Sequence, residues 1–139
     1  MKIIKFIGHP LTLIIWFLCI IIIGEHFAGL YVFYIVLGLP HGVIHSVLAA
    51  IGIIILLLSA VVKTALSPRL KAIINIFGAI LLLLSLWLFF KNDINQYNYQ
   101  TLHQAMPVAI IAGFVLLAMF FCALNMKNAL KNTNLLRSS

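Results

Sequence analysis

Residues 20–40, IIIIGEHFAGLYVFYIVLGLP, decide how this chain is drawn. The stretch is apolar except for Gly24-Glu25-His26 and two tyrosines, and residues 10–19 before it are apolar except for Thr12. Two readings compete. In one, a single helix runs from Pro10 to Gly38; at 1.5 Å per residue it is roughly 43 Å long and must tilt in a hydrocarbon core of about 30 Å. In the other, a helix ends near Ile23 and residues 27–39 form a re-entrant or interfacial piece on the far side. Start and stop signals favour the long helix. Gly8-His9-Pro10 resembles a helix start, and Gly38-Leu39-Pro40 resembles a C-terminal glycine followed by a breaker.

Composition makes a membrane the setting for either reading. Of 139 residues, 65% are hydrophobic and 8% charged, with a mean hydropathy of +1.22. A soluble domain is closer to half apolar and a quarter charged. So short a chain has too little interior to hide this much apolar surface from water. Lys2 and Lys5 precede the first apolar run as in a signal peptide, yet no small-x-small cleavage pattern follows Ile23, which predicts a retained anchor. Residues 1–9 alternate Lys2, Lys5 and His9 with Ile3, Ile4, Phe6 and Ile7, which suits a short interfacial segment.

Beyond the first run, three spans are expected at about residues 41–62, 71–90 and 107–125. Pro40, Pro68 and Pro107 fall at or just before their first turns, and Ser67 is placed to cap one of them. The fold class expected is an all-α integral membrane protein. Its four transmembrane helices form two antiparallel hairpins in a single domain, with residues 126–139 as a cytoplasmic tail. Charge then sets the orientation. Lys2, Lys5, Lys63, Arg69, Lys71, Lys127, Lys131 and Arg137 share one side, and Lys91 alone marks the other. The positive-inside rule puts both termini in the cytoplasm. The cell membrane expected, from Ile-, Lys- and Asn-rich usage, is a bacterial inner membrane.

The net charge of +7 is scattered singly between apolar runs. It forms no basic patch with interleaved aromatics, so membrane lipid, not nucleic acid, is the expected partner. Cys19 and Cys122 fit neither a disulfide framework nor a metal-ligand spacing.

Candidate chemistry lies in the few polar residues of the spans. On a long first helix Glu25 falls near the bilayer midplane, where a carboxylate is costly and usually functional or paired. Gly24, Ala28 and Gly29 beside it form a small-xxx-small pattern that lets a second helix approach. His41 and His45, four apart, share a helix face, a spacing able to hold a metal. With His26 they are the candidates for haem or transition-metal ligation, joined by Glu25 and His103 if the re-entrant reading holds. Gly38, Pro40 and Gly42 suit a tight turn between antiparallel helices. Ser59, Asn75 and Ser85 are expected as polar ties between helices.

No nucleophile elbow, phosphate loop or paired-carboxylate arrangement is visible, which argues against an enzyme. The leading expectation is an accessory or assembly subunit of a larger membrane complex, or a homo-oligomer, packed through the Gly24/Ala28 face. The alternatives are a haem- or metal-binding redox protein using His26, His41 and His45, and a proton- or cation-coupled transporter using Glu25.

Overall fold

The computed structural model describes residues 2–25, 27–62, 67–93 and 97–137. Helix α1 (Lys2–Ile7) leads into α2 (Pro10–Leu18). His9 caps α2 through its Nδ1, which accepts from the Leu11 N–H at 3.3 Å, and Pro10 occupies the first helical position.

The long first helix does not form. After Leu18 the chain extends into β1 (Ile21–Ile23), turns, and returns as β2 (Ala28–Leu30), antiparallel with Ile22 opposite Gly29. Helix α3 (Tyr31–Gly38) and a 3-10 turn (Leu39–His41) follow. The physical reason lies in the quoted stretch. Ile20–Ile23 is a run of β-branched residues, which favours extended backbone. Gly24 then permits a turn packed so closely that an added Cβ would lie 2.7 Å from Asn98 Oδ1. Turning there places Glu25 at an exposed tip instead of along a continuous helix. Non-helical backbone next to a bilayer must be enclosed by protein. Ile20 and Ile22 are fully buried, with Leu13, Phe17 and Tyr31, in the core.

Helix α4 (Ile44–Val61) starts three residues later than expected, because Gly42 takes a left-handed φ of 64° and Val43 is the N-cap. Helix α5 (Pro68–Lys91) starts under a Ser67 cap whose Oγ accepts from the Leu70 N–H at 3.3 Å. A short helix α6 (Gln100–His103) precedes α7 (Ala105–Arg137), which runs on through most of the expected tail. Ile44–Val61, Pro68–Lys91 and Ala105–Leu130 are three helices long and apolar enough to cross a membrane.

Glycine brings α4 and α5 together. A Cβ on Gly52 would stand 3.1 Å from the Gly78 carbonyl oxygen, and one on Gly78 would stand 2.7 Å from Leu56 Cγ. Gly24, Ala28 and Gly29, expected on a helix face, lie instead in the turn after β1 and in β2, and within the chain the close helix approach is made by Gly52 and Gly78. Around this pair, Leu56, Leu82, Phe114 and Phe121 complete the core. Large apolar side chains such as Ile54, Phe77, Trp87 and Phe120 point outward.

The bundle has two unlike ends. One carries the β-hairpin, α3, the end of α5 and α6. The other carries the starts of α2 and α5, the end of α4 and the Asn125–Asn128 part of α7, together with Arg69, Lys71 and Lys127.

Candidate functional site

At the hairpin end, polar groups tie the chain to itself. The Glu25 N–H donates to the Tyr97 carbonyl at 2.9 Å. This fixes the hairpin tip beside the connection after α5, with Glu25 exposed at the end of the bundle. Asp93 closes that connection, accepting from the backbone N–H groups of Tyr97 at 3.2 Å and Asn98 at 2.6 Å. Thr101, fully buried, binds β1 in both directions: Oγ1 accepts from the Ile23 N–H at 2.8 Å and donates to the Ile23 carbonyl at 3.1 Å.

A second set of ties holds α3. The Tyr31 hydroxyl lies 3.1 Å from Ser85 Oγ, which donates in turn to the His45 carbonyl at 2.8 Å. The Tyr31 ring meets Phe17 and Phe89 edge to face, with centroids 5.2 and 5.1 Å apart. His45 packs its ring against Tyr31 and Phe89 in the same cluster. Each edge-to-face contact of this kind is worth about 0.5–1.5 kcal/mol beyond area burial.

The expected histidine pair does not share a helix face. His41 ends the 3-10 turn and is exposed, whereas His45 lies within α4 on the other side of the left-handed Gly42. His26 lies outside the described residues. Among the described residues, no three His, Cys, Asp or Glu side chains gather around one metal-sized space. Gly38 and Gly42 do serve the turn. Gly42 supplies its positive φ, and a Cβ on Gly38 would collide with Ser46 Oγ.

The opposite end holds a polar concavity, and its lining was missed in the sequence. An open cavity of about 700 Å³ lies between the starts of α2 and α5, the end of α4 and α7. His9, Lys71, Asn75, Asn125 and Asn128 line it. Asn75 Nδ2 donates to Asn125 Oδ1 at 2.6 Å, and Asn125 Nδ2 donates to the Phe121 carbonyl at 2.8 Å. Asn75 Oδ1 is buried and accepts no hydrogen bond. A buried acceptor without a donor costs about 1–3 kcal/mol. Of the three expected polar ties, then, Ser85 is fully engaged, Asn75 is half engaged, and Ser59 Oγ is buried without a partner. The signal available in sequence was spacing: Pro68, Lys71 and Asn75 share one face of α5, and Asn125 and Asn128 share one face of α7.

No protein-family model, curated protein or solved structure matches this chain.

Proposed function

We propose that this chain is a small multi-pass protein of a bacterial inner membrane that works through contacts within the bilayer, as an accessory or assembly subunit of a larger membrane complex or as a homo-oligomer. The observation that carries this reading is the direction of its side chains. At the hairpin end Tyr31, Ser85, Thr101 and Asp93 spend their hydrogen bonds on internal ties, while α4, α5 and α7 turn Ile54, Phe77, Trp87 and Phe120 outward. A rigid frame with an apolar exterior suits lateral contact with lipid and with other helices.

In this reading the chain crosses four times. The first crossing is composite, helical through α2 and extended through β1, and the other three are α4, α5 and α7. Both termini face the cytoplasm with the basic end, and the hairpin end faces outward. Affinity purification from native membranes in mild detergent, with quantitative mass spectrometry, tests the reading. It predicts stoichiometric recovery of a larger membrane complex, or of a defined homo-oligomer. A monodisperse monomer with no retained protein contradicts it.

A further inference from the structure

We propose that the cavity at the basic end holds the headgroup of an anionic phospholipid that carries a hydroxyl, as a phosphoglycerol headgroup does. The phosphate faces Lys71 and the starts of α2 and α5, and the headgroup hydroxyl donates to Asn75 Oδ1. The inference goes beyond the contact function above and does not depend on it.

Asn75 lines the cavity, and its amide leaves one acceptor without a donor. The orientation of the Asn75 amide is set by its neighbours: Nδ2 serves Asn125 Oδ1, and Asn125 Nδ2 is held by the Phe121 carbonyl. Turning the Asn75 amide over would set two amide oxygens face to face. Its Oδ1 is therefore the atom left over, on a side chain only 1% exposed. Because Pro68, Lys71, Ala72 and Asn75 all line the cavity, this face of α5 is the one turned into it. A ligand hydroxyl supplies what Oδ1 lacks.

The rest of the cavity asks for an anion. Lys71 lines it one helical turn nearer the start of α5 than Asn75. Helices α2 and α5, of nine and 24 residues, both begin there. Their N-terminal ends carry partial positive charge and favour a phosphate. His9 accepts through Nδ1, which leaves a ring N–H on Nε2 to donate. The two acidic side chains of the sequence, Glu25 and Asp93, both stand at the opposite end.

The source of the phosphate is the membrane itself. The cavity opens where α4 ends and α5 begins, at the limit of two apolar helices, which is headgroup depth in a bilayer. A phosphocholine headgroup has the phosphate but no donor for Asn75, and its quaternary ammonium opposes Lys71.

Native mass spectrometry of the full chain, purified in mild detergent and exposed to equimolar phosphatidylglycerol and phosphatidylcholine, tests the assignment. Phosphatidylglycerol is expected to be retained about tenfold over phosphatidylcholine, the upper end of what one neutral hydrogen bond contributes. Lys71→Gln and Asn75→Leu are each expected to remove most of that preference, while Lys91→Gln at the other end leaves it intact. Lys71 is partly exposed, so its variant tests the site even if Asn75→Leu fails to fold. Equal retention of both lipids overturns the proposal, as does a preference unchanged in Lys71→Gln. Soluble glycerol phosphate that binds while phosphatidylglycerol is not retained overturns the lipid source.

Discussion

The two ends of this bundle use similar residues to opposite effect. At the hairpin end, Thr101 gives and accepts a hydrogen bond with the same residue, Ile23, and Ser85 relays between Tyr31 and His45. At the basic end, Asn75 and Ser59 are as deeply buried, yet each leaves an oxygen without a donor. Satisfied buried groups rigidify a fold, whereas an unsatisfied one marks a place where something is missing. The hairpin end is thus closed and structural, and the basic end is open.

That contrast can be broken by substitution, beginning with the largest effect. Tyr31→Ala removes a fully buried ring that joins Phe17, Phe89 and His45, and it should cost about 3–5 kcal/mol in reversible unfolding in mixed micelles. A loss below about 1 kcal/mol would mean the aromatic cluster does not hold α3. Gly52→Leu forces a side chain against the Gly78 carbonyl and Leu81; a drop of about 1–3 kcal/mol is expected in the same assay. Thr101→Val strips β1 of both side-chain bonds at Ile23, and the unpaired backbone groups should cost about 1–3 kcal/mol. Hydrogen exchange at Ile23 should speed up in that variant while the middle of α5 stays protected. Smallest of all, Glu25→Gln and Lys71→Gln should each leave unfolding within about 0.5 kcal/mol of the parent, as surface changes do. A large loss from Glu25→Gln would sharpen the question of whether its carboxylate is enclosed by a partner.

Much of the fold was legible in the sequence. The spans that became α4, α5 and α7 rest on long apolar runs bounded by Pro40, Pro68 and Pro107, and hydropathy reads such runs directly. Residues 20–40 were not legible in the same way. A continuous apolar run has no period, so a buried strand and a helix look alike in it, and the helix-stop signals at Gly38 and Pro40 belong to α3 as well as to one long helix. The local preference of Ile20–Ile23 for extended backbone is completed by a tertiary contact: Thr101, 78 residues away, satisfies the backbone of β1. The basic-end cavity was hidden for the same reason. Asn75 was readable as a tie between helices, and its bond to Asn125 is one, but the oxygen left over appears only when three helices and the start of α2 are placed around it.

The turn at Gly24-Glu25 is the claim on which the rest depends, because it separates a closed hairpin end from a buried carboxylate on a long helix. Its most direct test is cysteine labelling of Glu25→Cys in a background of Cys19→Ser and Cys122→Ser, using a water-soluble maleimide on open membrane fragments that expose both faces. The account predicts labelling as fast as at Asn92→Cys, an exposed position at the same end. Labelling of Glu25→Cys only after the membrane is dissolved in denaturing detergent would contradict it.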